Sequence, residues 1–204
     1  MTDPTRDLRR SAPAALRNRQ PLLDVLRDVL PCGGEVLEIA SGTGEHVVFF
    51  AAALPEITWR PSDPDPEARA SIAAWTDAEG VRNVGPPLDI DASAPVWPVA
   101  RADAVLCINM IHIAPWATAE GLMAGASHLL ASGAPLVLYG PFRREGRHTA
   151  PSNAEFDRAL RARNPAWGVR DLEAVRDLAA DHGMRLDRWV EMPANNLTLI
   201  FHRI

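Results

Sequence analysis

The ten residues LEIASGTGEH, at positions 37–46, constrain the fold more than any other segment of the chain. An apolar run ends near Glu38, two glycines follow at Gly42 and Gly44, and the apolar stretch EHVVFFAAAL comes next. Glycine permits a tight turn and lets a ligand approach bare backbone. We therefore predict a strand, a glycine turn and a helix, with a ligand bound beyond the carboxyl end of the strand.

The same alternation of strand and helix continues along the chain. Seven strands are predicted, at residues 35–40, 57–61, 85–90, 103–110, 135–142, 186–192 and 197–203. Strands that alternate with helices favour a parallel sheet covered on both faces. The last two strands are joined only by the short connection PANN, so the final strand runs antiparallel. The predicted fold class is α/β, with a doubly wound, Rossmann-like, seven-stranded sheet that is mostly parallel and has an antiparallel last strand.

A single domain is expected, because a chain of 204 residues with no visible linker or repeat can bury one full core. We assign residues 1–204 to this domain, with 1–20 as an N-terminal cap segment and 143–170 as an insertion or lid after strand five. A short helix is predicted at 12–20, and a separate helix is predicted to begin at Pro21, since proline is favoured at the first helical position.

Composition and charge argue against several classes of function. The formal net charge of −5 disfavours binding to nucleic acid, which rewards a basic surface. Cys32 and Cys107 are far apart and the histidines are scattered, so neither a disulfide framework nor a metal site is expected. The N-terminal sequence lacks the apolar core of a signal peptide, and no stretch approaches the ~20 apolar residues of a membrane span. We therefore expect a soluble, cytoplasmic protein with no membrane partner.

Three acidic residues indicate which ligand the glycine turn binds. Glu38, Asp63 and Asp89 end or follow strands one, two and three, and in a doubly wound sheet these ends line one crevice. Asp63 follows Gly44 by 19 residues (63 − 44), near the spacing of an acid that binds a ribose diol. Three acids repel a pyrophosphate and suit a ligand with cationic groups and a ribose, which describes S-adenosylmethionine. A dinucleotide fingerprint would have its third glycine at position 47, where Val47 stands instead.

A family resemblance supports the same ligand. The segments EVLEIASGTGEH, PSDPD, PPLDID and CINMIHIAPW resemble the successive motifs of class I S-adenosylmethionine-dependent methyltransferases. More narrowly, RNRQPLLDVL, SNAEFD, WGVRDLEAV and MPANNLTLIF are similar to the poorly characterised methyltransferase-like twenty-six family and its bacterial relatives. The resemblance covers nearly the whole chain, from about residue 11 to 203. It implies methyl transfer from S-adenosylmethionine to an acceptor that it does not identify. We expect a small-molecule acceptor, because the acidic balance disfavours RNA and no recognition domain is appended.

The resemblance also implies which residues contact the cofactor. Glu38 and the backbone of the turn would hold the methionine portion, and Asp63 would bind the ribose hydroxyls. The turn positions concerned are Ala40, Ser41, Gly42 and Gly44. The adenine edge and the side of strand four would be contacted by Asp89, Ile90, Asn109 and Met110. Alanine at position 40 departs from the glycine of the family pattern.

Acceptor-side residues are expected beyond strands four to seven, because the protein must align the acceptor for an in-line displacement. His112 follows strand four and is either a base or orienting group, or a packing residue. Tyr139 lies near the end of strand five and either lines the acceptor pocket or is a buried aromatic with a satisfied hydroxyl. Asn195 lies in the PANN connection and is either a pocket residue or a turn residue.

Arginines mark two further segments. Arg17, with Asn18, precedes the predicted helix at residue 21 and either closes over the cofactor carboxylate or belongs to a solvated helix face. The insertion after strand five contains Arg143, Arg144 and Arg147. These arginines either bind an anionic acceptor or are simply solvated.

Two other functions remain open at this stage. The chain is alternatively a non-catalytic S-adenosylmethionine-binding protein or a nicotinamide-dependent oxidoreductase, and both a monomer and a homodimer are compatible with the sequence. The acidic balance makes RNA an unfavoured acceptor.

Overall fold

Six strands form the central sheet of the computed structural model, which describes residues 7–204. The strands in chain order are β1 (Gly34–Ile39), β2 (Ile57–Pro61), β3 (Ala104–Ile108), β4 (Pro135–Gly140), β5 (Arg143–Arg144), β6 (Arg147–His148), β7 (Met184–Met192) and β8 (Asn196–Arg203). The sheet order is β2-β1-β3-β4-β8-β7, and β5 and β6 form a separate antiparallel pair. Strands β1 to β4 pair in parallel, whereas β8 is antiparallel to both β4 and β7. The predicted mostly parallel sheet with an antiparallel last strand is therefore confirmed.

The prediction of a seventh strand at 85–90 is wrong for the residues that the structure describes. This segment runs beside β2 but contacts it only through two isolated bridges, at Val84 and Leu88. Pro86 and Pro87 lie between the bridges, and proline has no backbone N–H to donate to a ladder. The segment therefore follows the edge of the sheet without becoming a regular strand.

Six α-helices lie among the described residues, and none of them is both long enough and apolar enough to cross a lipid bilayer. They are α1 (Pro13–Val29), α2 (Glu45–Ala53), α3 (Pro66–Glu79), α4 (Trp116–Leu129), α5 (Pro151–Arg163) and α6 (Leu172–Asp181). The prediction of two helices divided at Pro21 is wrong, because α1 continues through that proline. Asn18, Leu22 and Leu26 are buried along α1, so packing on both sides of Pro21 offsets the lost backbone hydrogen bond.

Side chains of the central strands alternate between two core clusters, one on each face of the sheet. Val36 and Leu106 pack with α1 and α2, whereas Leu37 and Val105 pack with α4 and α6. Strands covered on both faces explain the nearly continuous apolar runs in the sequence. Because β1, β2, β3, β4 and β7 run in one direction, their carboxyl ends lie at the same edge of the sheet, where the functional residues were expected.

Helix α4 fixes the chain that follows the 85–90 segment through one close backbone contact. Gly121 faces the backbone of Ala92 and Ser93, and a Cβ at Gly121 would meet the Ala92 carbonyl oxygen and lie 2.8 Å from Ser93 Cα. Only a residue without a side chain allows this approach. The contact fixes the turn after Ile90 against the helix.

We expect Gly121→Ala to destabilise the protein by about 1–3 kcal/mol, although alanine has the higher helix propensity, because the added methyl group has no space. Urea denaturation of the two proteins measures the difference. Ala124→Gly, at an exposed position of the same helix, is the control and should cost only about 0.5–1 kcal/mol. A stabilising Gly121→Ala would contradict the close contact.

Candidate functional site

A cavity of about 590 Å³, which we call the first cavity, opens at the carboxyl ends of β1, β2 and β3. Its lining includes seven of the residues predicted to bind the cofactor: Glu38, Ala40, Ser41, Gly42, Asp63, Asn109 and Met110. Apolar side chains of Ala14, Ile113 and Trp167 also line this cavity. The sequence therefore predicted much of the lining of this cavity.

The turn after β1 is built from left-handed backbone. Ala40, Gly42 and Gly44 have φ angles of 57°, 60° and 91°. Gly44 begins α2 and leaves no room for a side chain, since a Cβ there would lie 2.8 Å from Ile72 Cα. Ala40 takes the conformation that glycine usually adopts, at a steric cost of about 1–2 kcal/mol. The departure from the family pattern at this position therefore leaves the shape of the turn unchanged.

Glu38 is buried with one carboxylate oxygen unpaired. The residue is 1% exposed, and its Oε2 has no hydrogen-bond partner among residues 7–204. Burial raises the pKa of this carboxyl to about 7, the Ser41 hydroxyl opposes the shift, and the Asp63 charge adds to it. An unpaired buried carboxylate costs free energy until a proton or a cationic donor satisfies it. Glu38 also lines the first cavity.

Asp63 is held in place by the backbone at both of its carboxylate oxygens. Gly42 N donates to Oδ2 at 3.0 Å, and Asp65 N donates to Oδ1 at 2.9 Å. Burial raises the pKa of Asp63, while these two hydrogen bonds oppose the shift. The side chain therefore links the glycine turn to the end of β2 and presents a fixed acceptor to the cavity.

Asp89 does not join the other two acids. Its side chain is 70% exposed, lies outside the lining of the first cavity, and pairs with Arg69 at 3.1 Å. The expectation that three strand-end acids line one crevice is therefore corrected to two, Glu38 and Asp63. The 85–90 segment is not fixed by a strand ladder, so Ile90 is buried and Asp89 is turned to solvent.

His112 lies in the core, which favours the packing role over the base or orienting role that the sequence also left open. It is fully buried outside the first cavity, with its ring edge-on to Phe142 at 4.8 Å. Arg170 N donates to His112 Nδ1 at 3.2 Å. Burial, with a smaller contribution from the Arg170 charge, lowers the pKa of His112 to about 3. The alternative that the sequence left open, a packing residue, describes this position.

Tyr139 and Asn195 lie on the same edge of the sheet but outside the first cavity. The Tyr139 ring is buried, and Asn196 Nδ2 donates to its hydroxyl at 2.9 Å. Burial raises the pKa of Tyr139, while neighbouring Asn18 and Asn196 oppose the shift. Asn195 is exposed and has a left-handed backbone, with φ of 59°. Catalytic roles for these two residues stay predictions.

The start of the described chain covers the first cavity. Ala12, at the beginning of α1, donates its N–H to Glu45 Oε2 at 2.5 Å, and Asn18 Oδ1 lies 2.7 Å from His46 Nε2. Arg17 is exposed and outside the cavity lining, so the structure brings Asn18 but not Arg17 to this region.

Sequence reasoning missed several residues of the first cavity, among them His46, Asp65 and Trp167. His46 comes two residues after Gly44, so its place at the start of α2 was a signal that could have identified it. Asp65 caps α3 by accepting a hydrogen bond from Glu67 N, which is the role the sequence favours for it, and still reaches the cavity. Nothing in the sequence places Trp167 at this edge.

Comparison with known proteins gives a family and a fold. A family model described as "Protein of unknown function (DUF938)" matches residues 9–203. A curated relative, the tRNA (guanine-N(7)-)-methyltransferase of Rhodopseudomonas palustris (strain BisB5), is 34% identical over 104 residues. That match covers 50% of this chain and 40% of the relative.

Solved methyltransferase structures are similar over nearly the whole chain. An O-methyltransferase family protein from Burkholderia thailandensis gives a TM-score of 0.79 at 18% identity, covering 93% of this chain and 57% of that one. The mitomycin 7-O-methyltransferase MmcR gives 0.80 at 12% identity, covering 94% and 54%. This chain thus spans little more than half of those proteins. The likeness confirms the class I methyltransferase fold.

We expect Ala40→Gly to stabilise the protein by about 0.5–1 kcal/mol. Glycine adopts the left-handed conformation without the steric cost that alanine has there, but part of this gain is offset because glycine makes the unfolded chain more flexible. Thermal and urea denaturation measure the change. Ala124→Gly, within a right-handed helix, serves again as the control and should destabilise the protein. Loss of stability in Ala40→Gly would show that position 40 does not hold a left-handed backbone.

The buried Glu38 predicts a pH-dependent stability for the ligand-free protein. Burial raises its pKa from an ordinary value of 4.5 to about 7, so between these pH values the folded state holds a proton that the unfolded chain has lost. Relative to Glu38→Gln, the free energy of unfolding should fall as pH rises through this window, by at most about 1.4 kcal/mol per pH unit.

Urea denaturation of both proteins at the two ends of the window checks this expectation. Glu120→Gln, on the exposed side of α4, controls for the substitution itself. A difference between wild type and Glu38→Gln that stays constant with pH would show that Glu38 ionises normally.

Proposed function

The chain belongs to the family described as "Protein of unknown function (DUF938)", and we propose that it is an S-adenosylmethionine-dependent methyltransferase that acts on a small-molecule acceptor. The observation that carries the proposal is the buried Glu38 carboxylate with an unpaired Oε2, in a cavity beside the fixed carboxylate of Asp63. This site is formed within the class I methyltransferase fold, at the edge where such folds bind ligands.

The residues of the first cavity fit this cofactor. Glu38 would pair with the ammonium group, and the Asp63 carboxylate would accept hydrogen bonds from the ribose hydroxyls. The glycine turn allows the ligand to lie against bare backbone, and Asn109 and Met110 close the side of β3. When bound, S-adenosylmethionine supplies a methyl group that a sulfonium activates for in-line displacement. The protein residues orient the two reactants.

Charge supports this cofactor over a nicotinamide dinucleotide. Glu38 and Asp63 lie in one cavity and would repel a pyrophosphate, whereas they attract an ammonium group. An ion pair at about 4 Å is worth about 1 kcal/mol in water and several times more where water is excluded. Since Glu38 is buried, its preference for a cation is correspondingly strong.

The apolar residues of the first cavity suit a small acceptor. Ile113, Trp167 and Ala14 offer apolar contacts, and few precisely placed polar groups accompany them, as in typical small-molecule pockets. His46 also lines the cavity, and burial lowers its pKa to about 4, so its neutral ring can orient an acceptor rather than carry charge. The O-methyltransferase names of the structural neighbours agree with a small acceptor.

The proposal treats residues 1–204 as one methyltransferase domain that works in the cytoplasm, without nucleic acid or membrane partners. The curated relative that acts on tRNA matches only half of this chain, and the acidic net charge of −5 argues against an RNA acceptor. A non-catalytic cofactor-binding protein is the second candidate, because His112, which the sequence left open as a base, lies in the core.

We expect calorimetry to detect micromolar binding of S-adenosylhomocysteine, the demethylated cofactor. Asp63→Asn should weaken it about 10- to 100-fold, because hydrogen bonds to a charged group contribute about 1.5–3 kcal/mol. Asp77→Asn, at an exposed position of α3, is the control and should leave the affinity unchanged. No binding at millimolar ligand would contradict the proposal.

Methyl-labelled cofactor then separates the two candidate functions. Incubation with a small-molecule cell extract should give a labelled product for a methyltransferase. A protein that binds the cofactor tightly and never transfers the label would be the non-catalytic candidate.

A further inference from the structure

A second cavity, of about 480 Å³, lies at the same edge of the sheet as the first. Its walls are the β5–β6 hairpin, the residue that follows this hairpin, and the β7–β8 connection. Polar side chains dominate the lining: Arg144, Arg147, His148, Thr149, Asn195 and Asn196. Since β4 and β7 both run parallel to β1 and β3, their carboxyl ends bring this cavity to the same side as the cofactor site.

Two arginines of the hairpin oppose each other directly. Arg144 pairs with Arg147 across β5 and β6, so both side chains leave the same face of the ribbon. Glu145 and Gly146, with φ of 51° and 72°, form the two-residue turn that fixes this register. Within residues 7–204 neither guanidinium has an ion-pair partner, and Arg144 stacks over Trp189 at 5.2 Å. Like charges directly opposite each other are destabilising, and an anion bound between them removes the repulsion.

The wall beside the arginines is held by a buried amide. Asn153 is 5% exposed, and its Nδ2 donates to the Asn195 carbonyl at 2.9 Å and to Thr149 Oγ1 at 3.0 Å. Thr149 lies just before the start of α5, a helix of 13 residues with no acidic residue in its first turn. The positive end of the helix dipole therefore adds to the potential of the arginines.

Two carboxylates restrict the size of the anion. Glu145 and Glu191 are exposed and also line the second cavity. They offset much of the arginine charge, so a polyphosphate or a nucleic acid would be repelled at the rim. The cavity suits a single carboxylate or phosphate monoester placed between Arg144 and Arg147.

A short row of polar side chains separates the two cavities. Asn196 of the second cavity donates to the Tyr139 hydroxyl at 2.9 Å, and Asn18 is the next neighbour of that hydroxyl. Asn18 in turn bonds His46, which lines the first cavity. These contacts form a continuous row of side chains from the second cavity to the first.

We propose that the second cavity is the anion-binding part of the acceptor site, where Arg144 and Arg147 hold a carboxylate or phosphate monoester of the acceptor, while the group to be methylated lies in the first cavity. This inference rests on the proposed methyltransferase function. Arg144 and Arg147 would then determine which acceptor is bound, and the cofactor would bind in the first cavity.

The test uses the full chain saturated with S-adenosylhomocysteine and inorganic phosphate as the probe of the subsite. Arg144→Gln/Arg147→Gln is compared with Arg185→Gln/Arg188→Gln, a matched double variant of exposed β7 arginines outside the cavity lining. Nuclear magnetic resonance follows the backbone amides of residues 145–149. We expect saturable shifts with phosphate in the wild type and the control, and at least about tenfold weaker binding in the hairpin variant.

Two results would overturn the inference. Phosphate binding that is equal in wild type and hairpin variant shows that the arginines do not hold the anion, as does the absence of shifts in all proteins. Calorimetry of S-adenosylhomocysteine should be unchanged in both variants, which confirms that each is folded. If the wild type does not bind S-adenosylhomocysteine, the proposed function itself is contradicted.

Methyl transfer to an extract divided by anion exchange distinguishes the acceptor class. Label in the retained fraction, with at least about tenfold less product in the hairpin variant, supports an anionic acceptor. Label only in the unretained fraction rejects the anionic acceptor and upholds the methyltransferase. Carboxylate and phosphate acceptors are then told apart by phosphatase treatment of the retained fraction.

Discussion

The candidate site depends on one interaction that is left incomplete, the burial of the Glu38 carboxylate with an oxygen that no described residue satisfies. A carboxylate in the interior either takes up a proton or meets a cationic donor. The glycine turn and Asp63 are arranged around this group, since Asp63 accepts from Gly42 of the same turn. The unpaired oxygen thus gives the first cavity a chemical preference that a simple strand-to-helix turn would lack.

The alternation of strands and helices made the fold predictable, because apolar strands that alternate with amphipathic helices form a mostly parallel sheet with helices on both faces. The antiparallel last strand followed from the short PANN connection. The two wrong predictions, a regular strand at 85–90 and a helix boundary at Pro21, both concern prolines. Pro86 and Pro87 removed the donors that a third regular strand needed, and packing on both sides of Pro21 kept α1 continuous.

Sequence reasoning could name the positions at the ends of strands but not the direction of each side chain. Glu38 and Asp63 face the cavity because they end regular, paired strands, whereas Asp89 follows an unladdered segment and faces solvent. His112 was a reasonable base by position, yet the short helical turn after β3 directs it into the core. His46 was overlooked because it lies within a run that otherwise has the composition of an apolar helix.

The two cavities at this edge of the sheet are formed by different strands, and this has an evolutionary consequence. The first cavity is lined from the ends of β1, β2 and β3, and the second from the β5–β6 hairpin and the connection between β7 and β8. The hairpin supplies no residue to the two core clusters, so substitutions at its tip can accumulate without loss of the folded state. Descendants of one ancestral chain can therefore diverge at the second cavity while the first cavity keeps its lining.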